Sequence, residues 1–308
     1  MGHQRAPIVH FAVDLFPLTA ESPGEMKVVT EMNGLRDQLV GLPSPLALVP
    51  TMGALHDGHG ALIRRAREIV SASGSVAVSI FVNPIQFDRP EDLHSYPRPL
   101  QEDLEKCREL GVDFVFAPEK TDLYQPDHSV LVTESLLTRS LCGATRPGHF
   151  DGVLTIVLKL LNLFQPDTAI FGDKDFQQIA LIRRMVRDLN LTTKIVGHPT
   201  VREKDGLAMS SRNVRLSPAQ RADATRVPRA LQAARDLAVT GEARPEAYLD
   251  CARTHLQMNA PGDFSIDYLE LVGPEDLQPA GKVQDGCVLA TACYFGDVRL
   301  IDHVVIKR

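Results

Sequence analysis

The chain has 308 residues and a formal net charge of −6, with 44% hydrophobic and 23% charged residues, the balance of an ordinary globular protein with room for two domains. Net acidity argues against non-specific nucleic-acid binding, and no apolar run reaches the roughly 20 residues needed to span a bilayer. The five cysteines are scattered, without a Cys-x-x-Cys pair, which points to reduced thiols in a cytosolic protein rather than a disulfide framework or zinc ribbon.

Residues 1–25 carry Pro7, Pro17 and Pro23 and no continuous apolar core. They do not read as a secretory signal; a loosely ordered extension is expected, with Met26 as an alternative start. Residues 27–41 place Met32, Leu35, Leu39 and Val40 at helical spacing, which predicts a helix stopped by Gly41. Residues 46–49 (LALV) form a short apolar run closed by Pro50, the pattern of a strand buried on both faces of a parallel sheet.

The chain then turns through Thr51, Met52, Gly53, Ala54, Leu55, His56, Asp57, Gly58 and His59, and an amphipathic helix is expected from Gly60. His56 and His59 fall at its first turn, where unpaired N–H groups and the positive dipole end favour phosphate. Two imidazoles three residues apart can reach one phosphate chain and donate hydrogen bonds to developing charge. A zinc pair or two exposed loop histidines are the other readings.

Residues 75–82 (SVAVSIFV) predict a second parallel strand ending in Asn83 and Gln86, at the sheet edge where open α/β folds bind ligands. Either side chain could equally cap a turn. A loop over 91–98, a helix over 100–110 and a strand over 112–116 follow. Residues 119–149 are turn-rich, a place for a mobile flap over a site. Arg146 near its end is either an anion clamp or a surface arginine.

A strongly apolar helix over 152–164 leads to a strand over 168–171, and then to Gly172, Asp173, Lys174, Asp175, Phe176, Gln177 and Gln178 at the start of another helix. Lys174 would stand at the ligand edge of the sheet, where a compact positive charge suits phosphate, with Gln178 one turn further on. An ion pair of Lys174 with Asp173 or Asp175 is the alternative. A strand at 195–196 precedes Val201 and the run Met209, Ser210, Ser211, Arg212, a donor cluster suited to polyphosphate.

Alternating strands and helices to this point imply a doubly wound parallel sheet. A boundary near 199 separates it from a smaller α+β C-terminal domain over 200–308. That domain is expected to hold a helical region from 217 broken or kinked at Pro228, a helix over 245–258, and strands over 266–272, 287–295 and 298–306 with a hairpin turn at Gly296-Asp297.

The motifs PTMGALHDGH (50–59), FVNPIQF (81–87), EDLHSYPR (91–98), RPGHFDGV (146–153), FGDKDFQQ (171–178) and VREKDGLAMSSRN (201–213) together resemble the pantothenate synthetase (pantoate:β-alanine ligase, AMP-forming) family. The resemblance covers everything after about residue 25. It implies a Rossmann-like nucleotidylyltransferase domain over 26–199 that binds ATP and pantoate, and a lid domain over 200–308. It also implies ATP with Mg²⁺, the substrates pantoate and β-alanine, a pantoyl adenylate intermediate and a homodimer.

Carried over by motif, Met52 to His59 would line the ATP site, with His56 and His59 on the phosphates and His59 a proton donor. Gln86 and Gln178 would hold pantoate, with Gln86 also near the β-alanine site. Gly172, Asp173, Lys174 and Asp175 would contact the nucleotide, Val201 the adenine, and Met209, Ser210, Ser211 and Arg212 would close over the triphosphate. Tyr96, Asn83, Arg146 and His149 are secondary candidates. The chain departs from the family at Asp57, where Glu is more usual, and at Gly60, where a larger apolar residue is common.

Overall fold

The computed structural model describes residues 25–307, so nearly all of the expected N-terminal extension lies outside the described residues. Six strands build one parallel sheet: β1 (Lys27–Val29), β2 (Leu46–Thr51), β3 (Ser75–Ile80), β4 (Phe114–Phe116), β5 (Thr168–Gly172) and β6 (Lys194–His198). Their spatial order is β1-β4-β3-β2-β5-β6. The first four residues of β2 and all of β3 are buried, which is why these segments read as apolar runs rather than alternating ones.

The helices of this unit are α1 (Leu35–Val40), α2 (Asp57–Val70), α3 (Pro90–His94), α4 (Leu100–Glu109), α5 (Lys120–Leu123), α6 (Leu141–Thr145), α7 (His149–Phe164) and α8 (Phe176–Asp188). On one face of the sheet Ile63 and Ala66 of α2 and Cys107 of α4 pack with Val49 and Val78. On the other, Leu154, Leu161 and Phe164 of α7 pack with Phe114 and Phe116.

From β2 to β4 the chain winds in one direction, and α7 then returns it to the far side of β2. There β5 pairs in parallel through Ala47↔Thr168 and Leu48↔Ala169. The winding therefore reverses between β2 and β5, and the loops at their carboxyl ends flank a crevice.

The C-terminal part contains α9 (Pro218–Asp223), α10 (Arg226–Asp236) and α11 (Pro245–Gln257), with an antiparallel sheet of β7 (Phe264–Val272), β8 (Val288–Phe295) and β9 (Val298–Val305). Both faces of β8 are covered. Leu289, Cys293 and Phe295 pack with α10 and α11, while Val288 and Ala290 join the core that also holds α6, α7 and α8.

Several elements differ from the sequence reading. Residues 27–29 form a strand rather than the start of a helix, because β-branched Val28 and Val29 pair with Val115 and Phe116 of β4; the helix begins only at Leu35. The segment 91–98 is not all loop, since α3 opens at Pro90, whose fixed φ suits a first helical position. The second helix begins at Asp57 rather than Gly60.

Residues 119–149 do not form a flap over the cleft. Leu137, Leu141 and Cys142 are buried in the core, and Ser140 Oγ donates to the Leu277 carbonyl at 2.6 Å. The break in the C-terminal helices falls at residues 224–225, and Pro228 sits in the first turn of α10, where its missing N–H leaves no bond unmade.

Candidate active site

The loop between β2 and α2 is shaped by a residue that the motif reading passed over. Asp103 of α4 is 1% exposed, and its two carboxylate oxygens accept from the Ala54 and Leu55 N–H groups at 2.8 and 2.7 Å. Lys106, one turn on, donates to the Leu55 carbonyl. Gly53 adopts φ +79, and a Cβ there would lie 2.9 Å from Asp103 Oδ2, so only glycine fits without displacing the carboxylate. Burial pushes the Asp103 carboxyl up, partly offset by the two N–H donors. Its signal in the sequence was a carboxylate on the apolar face of a helix, at i+3 from Leu100 and i−4 from Cys107.

His56 is the N-cap of α2. Its Nδ1 accepts from the Gly58 N–H at 3.1 Å, and the Nδ1 of His59 accepts from the His56 N–H at 3.3 Å, a reciprocal capping box made by two imidazoles. Both Nδ1 atoms are thus acceptors, which assigns the proton of each neutral ring to Nε2. The ring centroids are 4.1 Å apart. Burial, then Lys174, pushes His56 down to about 4. Burial, then His56 and Lys174, pushes His59 down to about 3. The pair is therefore uncharged at neutral pH and offers two N–H donors.

Across the crevice, Lys174 stands on the tight turn after β5, 3.7 Å from Asp175. It thus lines the cleft and also makes the ion pair that was the alternative reading. Burial opposes ionisation of Asp175, but Lys174 and then Arg212 prevail and hold its carboxyl below the usual range. The adjacent glutamines separate by function. Gln178 faces the cleft, whereas Gln177 is buried and bonds the Leu137 and Ser140 carbonyls at 2.7 and 2.9 Å.

One end of the cleft is a fixed polar network over the apolar α7 residues Val153, Ile156, Val157 and Leu160. Asn83, 1% exposed, accepts from Tyr124 at 3.0 Å and donates to Gln86 Oε1 at 3.1 Å. Gln86 Nε2 then points to Met52 Sδ at 3.1 Å, on the cleft side. Arg146 donates to Asp88 at 2.7 Å and to His149 Nε2 at 3.2 Å. The imidazole must therefore donate through Nδ1 to the Gln86 carbonyl at 2.6 Å. Burial, then Arg146, pushes His149 down to about 4.

The C-terminal part covers the cleft with residues 201–215. Val201 and Met209 face each other across a small hairpin, the Met209 N–H donating to the Val201 carbonyl at 3.0 Å. Arg202 anchors it through a two-pronged pair with buried Asp302 at 2.7 and 2.9 Å. Beyond it, Ser211 Oγ lies 3.3 Å from Tyr96 Oη, and Arg212 and Arg215 both reach Asp92 of α3. Asp92 and Asp88 thus join Asp103 as functional-region residues that the motifs did not single out.

Of the sequence-derived candidates, Met52, His56, Gly58, His59, Gln86, Gly172, Lys174, Asp175, Gln178, Val201, Met209, Ser210, Ser211 and Arg212 line one continuous cleft, together with Asn83, Tyr96, Arg146 and His149. Gly53, Ala54, Leu55 and Asp57 do not line it; the first three carry the backbone that Asp103 holds. Asp173 does not line it either, because its carboxylate turns toward Gly197 of β6. Among the described residues no group of three or more His, Cys, Asp and Glu converges as a metal cluster would.

The cleft therefore offers three cations, Lys174, Arg146 and Arg212, each countered by one aspartate, and two neutral imidazole donors. Such an arrangement suits a polyanion beside a small acid.

Comparison with known proteins agrees with this chemistry. The family model described as Pantoate-beta-alanine ligase matches residues 26–305. Pantothenate synthetase of Akkermansia muciniphila is 49% identical over 259 residues, 84% of this chain and 91% of the relative. The crystal structure of pantothenate synthetase from Thermus thermophilus matches with a TM-score of 0.86 at 44% identity, covering 92% of this chain and 100% of that one. The pantoate-beta-alanine ligase of Francisella tularensis, solved in complex with beta-gamma ATP and beta-alanine, matches with a TM-score of 0.76 at 32% identity, covering 91% and 98%. The chain is a ligase of the pantoate-beta-alanine ligase family.

Proposed function

We propose that the chain joins pantoate to β-alanine at the expense of ATP, through a pantoyl adenylate, with release of pyrophosphate and then AMP. The observation that carries this reading is the pairing of β2 with β5. It sets the His56–His59 helix start and Lys174 on opposite lips of one crevice, with Gln86 and Gln178 beside them.

In the first step a pantoate carboxylate oxygen bonds to the α-phosphorus, and the bond to the bridging oxygen of pyrophosphate breaks. Two anions must meet, so Lys174 and Arg212 offset their repulsion while the Nε2–H groups of His56 and His59 donate to phosphate oxygens. No proton transfer is required, and His59 enters as a neutral hydrogen-bond donor rather than a stored acid, given its depressed pKa. Gln86, held by Asn83, and Gln178 fix the acid, and the α7 side chains receive its apolar carbons.

Gly172 and Asp175 flank the nucleotide, and Val201 and Met209 close on its base. In the second step the amine nitrogen bonds to the acyl carbon and AMP leaves. Ser210, Ser211 and Arg212 cover the cleft, which protects the acyl adenylate from water.

Mg²⁺ belongs to this reading as a substrate-borne ion. Asp175, the cleft carboxylate next to Lys174, would help hold it beside the phosphates. When bound, the ion supplies charge neutralisation on the phosphates. The five cysteines are free thiols, which supports a cytoplasmic placement. The homodimer and a domain boundary near residue 199 complete the proposal.

AMP release measured with pantoate and β-alanine, singly and together, tests the reading. Pantoate alone is expected to support ATP–pyrophosphate exchange, and both acids together are expected to give stoichiometric AMP and amide. Exchange without any amide would reduce the protein to a nucleotidylyltransferase and overturn the proposal.

A further inference from the structure

Two cavities share one wall. The cleft described above holds the histidine pair, Val201 and Met209. A second chamber lies between α6, the start of α8 and the C-terminal sheet, with Tyr268, Tyr294, Arg299, Ile301 and His303 in its walls. Arg146, His149, Lys174, Asp175, Gln178, Ser210 and Arg212 border both. His56, His59 and Gln86 border only the first.

This partition has a chemical meaning under the proposed reaction, on which the inference rests. Gln178 would hold the acid and Lys174 its phosphate, so the reactive acyl–phosphate junction falls between the two side chains that both cavities share. The second chamber reaches that junction from the side away from the histidine pair.

Its walls carry fixed charged groups among apolar side chains such as Phe150, Phe176 and Ile301. Arg299 is held by Asp267 at 2.7 and 3.0 Å and lies 5.8 Å from the Tyr268 ring centroid. The Nδ1 atom of His303 is buried with no hydrogen-bond partner. Guanidinium groups for a carboxylate, with carboxylates beside them for an ammonium, suit a short zwitterion better than a wholly apolar ligand.

We propose that this chamber is the port through which the amino acid reaches the acyl adenylate, separate from the mouth used by the nucleotide. Entry by the nucleotide mouth would require the 210–215 cover to lift with the intermediate in place, which admits water. With a second port, the nitrogen bonds to the acyl carbon, the carbon–oxygen bond to phosphate breaks, and AMP leaves with that electron pair. The protons shed by the ammonium pass to water in the chamber.

Ile301 and Ala290 border the chamber and not the cleft. Ile301→Trp and the smaller filling Ala290→Leu are expected to leave pantoate-dependent ATP–pyrophosphate exchange within about twofold of the parent, while raising the KM for β-alanine by roughly tenfold or more. Hydroxylamine, a smaller nucleophile, should still intercept the acyl adenylate at the parent rate. Thermal unfolding identifies a variant that does not fold, and the other then decides. A folded, chamber-filling variant with unchanged KM for β-alanine would overturn the port. Absence of pantoate-dependent exchange in the parent would instead overturn the proposed function.

Discussion

The carboxylate of Asp92 receives Arg212 at 2.9 Å and Arg215 at 2.6 Å, tying the C-terminal cover to α3. A carboxylate and a phosphate present similar oxygens to a guanidinium. Arg212 therefore already has an anionic partner without a nucleotide, and under the proposed function ATP would exchange that partner while Arg215 would keep the cover tethered.

Replacing Asp92 with Asn leaves both arginines facing a neutral amide. The pairs are partly exposed, so the loss is about 1 kcal/mol. Hydrogen exchange of residues 210–215 in the nucleotide-free variant is expected to rise by roughly fivefold, and ATP should restore protection. Unchanged protection in Asp92→Asn would show that the cover is held by other contacts.

Asp103→Ala removes the acceptor for two buried N–H groups of the β2–α2 loop. Leaving both unpaired is expected to lower stability by about 2–4 kcal/mol in denaturant titration and to raise the KM for ATP, because Met52 and His56 flank those groups. Asp103→Asn, which keeps one acceptor oxygen, should fall between. A large stability loss with an unaltered KM would mean that the loop finds its shape without α4.

Neighbouring glutamines should give opposite phenotypes. Gln177→Ala deletes three hydrogen bonds, two buried ones donated to carbonyls and a partly buried one accepted from the Gly143 N–H at 3.2 Å, and is expected to destabilise by about 2–3 kcal/mol. Gln178→Ala changes a cleft-facing side chain and should leave unfolding within about 0.5 kcal/mol while raising the KM for pantoate. Equal effects of the two substitutions on unfolding and on KM would contradict the division of labour.

Acid should weaken the fold through three histidines. His56, His59 and His149 are depressed to about 4, 3 and 4 from 6.5, so below 6.5 the unfolded chain binds more protons than the native one. Their contribution is fully present above 6.5 and is lost as pH falls from there toward 4. Urea unfolding at pH 7, 6 and 5 should show stability falling by up to a few kcal/mol, with a shallower slope in a His56→Asn, His59→Asn double variant. Bound polyphosphate favours the imidazolium forms, so ATP binding near pH 5 should take up protons, readable by calorimetry in buffers of different ionisation heat.

The sequence by itself determined the alternation of strands and helices, the glycine turn with its two histidines, and the placement of Lys174 and Gln178 just past a strand. These are local properties: a buried parallel strand must be apolar, and a helix start must expose N–H groups. What only tertiary structure decided was adjacency and direction. Residues 47 and 168 are neighbours because α7 crosses over β2, and no spacing in the chain encodes that.

The role of Asp103 became visible only when α4 packed against the loop, and that of Asp92 when the C-terminal segment folded back over α3. The identical letters of Gln177 and Gln178 parted for the same reason, since successive residues on a helix point about 100° apart, one into the core and one into the cleft. Strand β1 was lost to a helical pattern because pairing with β4, about 87 residues away, outweighed local periodicity.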